Sequence, residues 1–202
     1  MEIYHITLVF GYIYGYVNVA LKKQTWQAYL YIVSDSRFDS SNAVDGRKSD
    51  LNPLEGQCVQ SADNKRSATW WVNLESDHSI HDIRIYYLTD NNVWDKNNGL
   101  TERFLGFRVY LSNTTNRLDG HLCCHDTNYT RSTIPAIVNI TYTFHAQYVI
   151  YYNEKLGNVK YPDDYSYYAF NELCEVEVYG CMTGYHGPNC SLPALTTVVI
   201  VT

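Results

Sequence analysis

The chain has no block of clustered Lys and Arg, and its 15 basic residues are outnumbered by 21 acidic ones for a net charge of -6. Nucleic acid as a partner is therefore excluded, because binding a polyphosphate needs grouped cations to displace its counterions. No apolar run approaches the roughly 20 residues needed to cross a bilayer, and the closing run Ala194 to Val201 falls well short. There is no internal repeat, no low-complexity linker and no sustained helical period. Catalytic signatures are also missing: there is no Gly-x-Ser-x-Gly, no His-Glu-x-x-His and no phosphate-cradling glycine loop. Without a matched acid, base and nucleophile, the chain does not read as an enzyme.

What is present is β structure. The 202 residues include 20 tyrosines, which favour strands and offer amphipathic recognition surface. In Ile83-Arg-Ile-Tyr-Tyr87 apolar and polar residues alternate, and Phe107-Arg-Val-Tyr-Leu111 repeats the pattern. Val176 and Val178 alternate with Glu175, Glu177 and Tyr179, which places the glutamates on the outward face. Tyr148-Val-Ile-Tyr-Tyr152 is almost continuously apolar and reads as a central strand. Turn-rich stretches at 34–42, 91–99, 112–120 and 153–164 separate these segments, so an antiparallel sandwich or jelly roll is expected.

Six cysteines, Cys58, Cys123, Cys124, Cys174, Cys181 and Cys190, allow 15 pairings. The sequons at Asn113, Asn128 and Asn139, with the even cysteine count, favour a secreted glycoprotein or the extracellular face of the cell surface. Residues 1–16 read as a signal peptide, since Ile6 to Val17 is apolar and aromatic. A first β-strand is the alternative there, because no Lys or Arg precedes the run. His121-Leu-Cys-Cys-His125 is too compact to surround a tetrahedral zinc ion. Cys123 and Cys124 are left to pair with each other, to pair between chains, or to stay reduced. His78 and His81 flank a turn and read as surface residues, and adjacent Asp163 and Asp164 as a solvated turn.

Four ordered segments, Asn18-Val-Ala-Leu21, Asn42-Ala-Val-Asp-Gly46, Trp70-Trp71-Val-Asn-Leu74 and Leu173-Cys174-Glu175-Val-Glu-Val-Tyr-Gly180, resemble those of the fucolectin (F-type lectin) branch of the galactose-binding-like jelly rolls. The resemblance covers most of residues 18–180 and implies an all-β galactose-binding-like jelly-roll β-sandwich over 17–180. The segment from Cys181 to Cys190, with Gly184-Tyr185-x-Gly187 inside, resembles the last loop of an EGF-like module. Residues 181–193 are therefore expected to be a partial EGF-like, disulfide-bearing extension closed by Cys181 and Cys190, and 194–202 a short apolar tail. The chain then reads as a truncated form of a longer EGF-repeat receptor.

The fucolectin resemblance implies a calcium ion bound by Asn42, Asp45, Arg47, Gln57, Cys174 and Glu175. Asn42, Arg47 and Cys174 would give carbonyls and Asp45 and Glu175 carboxylates, with Gln57 where the family has a small hydroxyl residue. Calcium takes six to eight such oxygens. It also implies a Cys58–Cys174 bridge. In fucolectins a histidine, an Arg-x-Asp and a later basic residue converge on fucose. Here Gln60 takes the histidine position, Leu88-Thr-Asp90 stands for Arg-x-Asp, and Arg103 matches the later cation. Each lost charged contact weakens binding by about 1.5–3 kcal/mol, so fucose is expected to bind weakly or not at all. Trp94, in an enlarged loop with Asn97 and Asn98, either stacks on a sugar or anchors the loop on the sandwich. The implied ligand site is thus Gln60, Asp90, Trp94 and Arg103. The implied partners are glycans, fucosylated ones included, or cell-surface glycoproteins, and an oligomer is compatible with the sequence. The alternative is a module binding protein or lipid head groups within a scavenger or adhesion receptor.

Overall fold

The computed structural model describes residues 15–193. The stretch read as a signal peptide lies outside the described residues except for Gly15 and Tyr16, and the tail 194–202 lies outside them entirely.

Strands β1 (Val17–Asn18), β2 (Gln24–Gln27), β3 (Ser67–Tyr87), β4 (Arg108–Ser112), β5 (His121–His125), β6 (Ile137–Glu154) and β7 (Leu173–Gly180) form one hydrogen-bonded system in the order β1-β7-β3-β6-β4-β5, with β2 also on β3. All pairings are antiparallel. Strand β3 joins two stretches that the sequence shows as separate patterns, Trp70–Leu74 and Ile83–Tyr87. The pairing of β3 with β6 shifts register between Asn73 and His78 and again between Ile80 and Asp82. Such irregularities bend a strand and increase its twist. The first half of β3 pairs with β2, while its second half pairs with β7. Trp70, Val72, Ile83, Ile85, Val109, Leu111, Val149, Tyr151, Val176 and Val178 nonetheless meet in a single buried cluster. The sheet is folded over on itself, and the result is a jelly-roll β-sandwich.

Alternation correctly places Ile83, Ile85 and Tyr87, and Phe107, Val109 and Leu111, in the core. It misplaces β7. Glu175 is fully buried and Glu177 is 6% exposed, because the loop after residue 44 covers the face that alternation assigns to solvent. Lys48 from that loop pairs with Glu177 and lies over the Tyr86 ring. His78 is likewise buried rather than superficial, its Nδ1 2.9 Å from the Cys181 carbonyl oxygen. His81 is half-buried, stacked on Tyr16.

Two disulfides are formed, Cys58–Cys174 and Cys181–Cys190. The second closes an extension holding the short hairpin of β8 (Tyr185–His186) and β9 (Leu192–Pro193). Cys123 and Cys124 are free thiols on edge strand β5, and burial pushes Cys123 up to about 12. Asn113, Asn128 and Asn139 are all exposed. Among the described residues no helix is long and apolar enough to cross a membrane.

Candidate functional site

The loops before β3 and the segment between β3 and β4 build one end of the sandwich. The short helix α1 (Thr101–Phe104) carries Arg103. Just before β7, Glu172 is 1% exposed, and its Oε1 accepts from Arg103 Nη1 at 2.7 Å. Burial raises the Glu172 carboxyl above its ordinary value, while Arg103 pulls it back. Gln60, Leu88, Asp90, Asn92, Asn98, Arg103 and Glu172 line an open concavity of about 420 Å³. The structure therefore brings together three of the four residues expected at the ligand site.

Trp94 is not in that lining. Its indole N–H donates to the Ile134 carbonyl at 2.8 Å, and its ring lies 6.4 Å from Tyr87 and 6.0 Å from Phe104. It anchors the loop on the core, which is the second of its two sequence readings. Asn98 holds the same loop, donating to the Thr89 and Val93 carbonyls.

Asp90 is set by its neighbours. Its Oδ1 accepts from Asn52 Nδ2 at 2.6 Å and its Oδ2 from Asn92 Nδ2 at 3.2 Å. Asp90 and Asn91 both adopt left-handed backbone, at φ 56° and 55°. Residues held in that region are strained unless their surroundings fix them. Here the fixing contacts are visible, since Asn91 accepts from Leu51 N and donates to Asp50 Oδ1.

Glu172 is the residue that sequence reading missed. Its only signal was its place just before Leu173-Cys174-Glu175, and its pairing with Arg103 is purely tertiary. That pairing changes the site. The one cation retained from the fucolectin pattern is already bound to a carboxylate, and it stacks over Phe170 at 4.5 Å. Leu88 is 2% exposed and belongs to the hydrophobic core while also meeting the concavity.

The second cluster surrounds the Cys58–Cys174 bridge. Asn42 uses its side-chain amide to hold the Ser36, Arg37 and Cys58 carbonyls. Glu175 Oε2 accepts from Gly46 N at 3.1 Å, whereas Oε1 is buried with no hydrogen-bond partner. Burial pushes the Glu175 carboxyl up to about 8, and the nearby Asp45 charge adds to this. A buried carboxylate oxygen without a donor is costly, and a cation is one way to satisfy it. The residues expected to hold calcium, Asn42, Asp45, Gln57 and Glu175 among them, carry oxygens of the kind a hard cation prefers. Two features depart from expectation. Gln57 Oε1 is occupied, accepting from Ser49 N at 3.1 Å and Asp50 N at 3.3 Å. Asp45 Oδ1 accepts from Arg47 N at 2.7 Å, and Arg47 Nη1 lies 3.7 Å from its Oδ2. Among the described residues, no group of three or more His, Cys, Asp or Glu side chains is arranged for a metal.

No family model and no curated protein matches the sequence. Solved structures do match. A fucolectin from striped bass (Morone saxatilis) serum aligns with a TM-score of 0.63 at 22% identity over 83% of this chain. This chain spans 50% of that lectin's length. A Streptococcus pneumoniae fucose binding module gives 0.58 at 22% identity, covering 81% of this chain and 95% of the module. A chitosan-binding module from a Paenibacillus sp. IK-5 chitosanase/glucanase gives 0.56 at 19%, covering 81% and 99%. The fold is the galactose-binding-like jelly roll. In this jelly roll, the entry into β7 brings Glu172 to the concavity, and β7 itself brings Glu175 to the bridge cluster three residues later.

Proposed function

We propose that the chain is an extracellular carbohydrate-recognition module, calcium-stabilised, whose ligand enters the concavity formed by Gln60, Asp90, Arg103 and Glu172. The observation that supports this reading most is the convergence of oriented polar side chains on an open concavity. Sugar sites need such groups to fix hydroxyls. Neighbours described as a fucolectin, a fucose binding module and a chitosan-binding module share the fold and lend the reading support.

Calcium would be held by the Asn42, Arg47 and Cys174 carbonyls, the Asp45 and Glu175 carboxylates and Gln57. It would neutralise the buried Glu175 and tie the loop to β7. Because the Gln57 side-chain oxygen is engaged within its own loop, that residue would contribute its carbonyl. The fucose pocket is degenerate in this reading: the histidine and first arginine are replaced, and Arg103 is bound to Glu172. The two disulfides and three exposed sequons suit a secreted glycoprotein or cell-surface domain.

A glycan array probed with the purified protein, with and without EDTA, tests the proposal. Binding to a defined set of glycans that EDTA weakens is expected. Failure to bind any glycan, with capture of anionic lipid vesicles or cell-surface protein instead, would overturn it in favour of the protein- or lipid-binding alternative.

A further inference from the structure

We propose that the concavity selects glycans carrying a protonated amine, such as 2-amino-2-deoxy sugars, over neutral and acidic ones; this rests on the carbohydrate-binding reading above. Asp90 and Glu172 are acidic and Arg103 is basic, so the ionised lining carries one excess negative charge. Arg103 gives one N–H to Glu172 at 2.7 Å and lies over Phe170, so its positive charge is matched by that carboxylate and not by Asp90.

Asp90 is different. Both its oxygens are oriented by neutral amides, and it forms no ion pair with any cation among the described residues. Asp50, linked to the same rim through Asn91, adds a second carboxylate nearby. Glu172 supplies an independent sign of a missing ligand group. Its Oε2 is buried with no hydrogen bond of normal geometry, the Gln60 side chain being the one other donor that acts on this carboxyl besides Arg103, and it belongs to a residue lining the concavity. Leu88, also in the lining, contributes no charge.

An ammonium group offers three donors and no acceptor, which complements carboxylates that can only accept. It would also neutralise the excess charge, whereas a uronic or sialic acid would meet the unpaired Asp90 carboxylate and be repelled. A neutral sugar can donate from its hydroxyls but gains nothing from the charge. Charge-assisted hydrogen bonds are about twice as strong as neutral ones.

Isothermal calorimetry with the glucosamine trimer and the N-acetylglucosamine trimer isolates the amine, since the two differ only by acetylation. At a pH where the amine is protonated, the glucosamine trimer is expected to bind about tenfold tighter or more. That advantage should shrink as salt rises. Asp90→Asn, whose side chain tolerates the left-handed backbone, is expected to abolish the preference while leaving the circular dichroism spectrum unchanged. Asn92→Lys, which sets an ammonium beside the same carboxylate, should abolish it as well. Equal or tighter binding of the N-acetylated trimer would overturn the proposal while leaving carbohydrate recognition intact. So would a preference that survives both substitutions, or equally tight binding of trilysine, which would reveal charge attraction without sugar recognition. Failure of every glycan tested would sink the proposal together with the reading on which it rests.

Discussion

At the residue scale, two buried ionisable groups give the domain opposite responses to pH. Glu175 is pushed up to about 8 from the ordinary value of 4.5. The folded chain therefore holds a proton that the unfolded chain has lost, and this group's contribution to stability falls as pH rises from 4.5 through 8. Calcium would take the place of the proton. Millimolar calcium is accordingly expected to raise the wild-type Tm at pH 8 and to flatten its fall with pH. Glu175→Gln should lose both the calcium response and the slope in parallel differential scanning calorimetry. A calcium-induced rise in Tm that persists in Glu175→Gln would remove this residue from the site. Lys155 works the other way. Its Nζ donates to the Leu105 carbonyl at 2.9 Å and to Asn153 Oδ1, and burial lowers it from 10.5 to about 7, with Arg108 adding to the shift. Asp126 and Glu154 oppose the shift, and the rings of Tyr161 and Tyr165 lie 5.7 and 5.2 Å from the nitrogen. The unfolded chain binds the extra proton between these values, so stability gains as pH rises from 7 towards 10.5. Urea titrations at pH 6 and pH 9 should show wild type gaining stability relative to Lys155→Met; no change in the difference would place the lysine in contact with water.

At the element scale, Trp94 is the side chain that ties the loop between β3 and α1 to the core. Trp94 hydrogen-bonds to Ile134 and packs on Tyr87 and Phe104, and the same loop carries Asn92, Asn98 and the rim of the concavity. Trp94→Phe keeps the ring packing and loses one hydrogen bond, an expected cost of about 1 kcal/mol. Trp94→Ala removes both, with an expected loss of roughly 3 kcal/mol. Because the indole does not line the concavity, Trp94→Phe should retain glycan affinity; a large loss there, measured by calorimetry, would mean that the ring touches the ligand. This element shows how far the sequence could be read. An aromatic in a long polar loop is consistent with a sugar platform or an anchor, and only the position of Ile134, 40 residues away, distinguishes them. Alternation found the inward faces of β4 and of the second half of β3 because those strands each have one covered side. It failed on β7 because both sides are covered, and a glutamate on a covered face looks the same in sequence as one facing water. The Arg103–Glu172 pair escaped for a related reason: two charges 69 positions apart carry no local signal of contact.

At the scale of the whole molecule, three of the four segments that carried the family resemblance, 18–21, 42–46 and 173–180, meet where the chain closes. Val17 pairs with Gly180, Asn18 Oδ1 accepts from Val178 N, and Cys58 is bonded across 116 positions to Cys174. The fold was legible because these closures need particular residues, whereas the ligand site was less so because its loops are free to change. The same topology governs how the chain folds. Pairing strands from opposite ends of the sequence means closing long loops before any contact stabilises them, which makes such sandwiches slow to fold. The Cys58–Cys174 bond makes one of those closures, across 116 positions, in advance. A chain-entropy argument assigns about 5 kcal/mol to a bridge of that span and about 3 kcal/mol to the short Cys181–Cys190 loop. Paired Cys→Ala replacements should therefore separate the two bridges: losing Cys58–Cys174 is expected to cost more stability and to slow refolding from urea, followed by tryptophan fluorescence in a stopped-flow instrument. Losing Cys181–Cys190 should leave the refolding rate nearly unchanged, because that bridge closes only the extension beyond β7. Equal effects on the rate would mean that the extension forms with the sandwich rather than after it, and that the first and last strands meet without help from the long bridge.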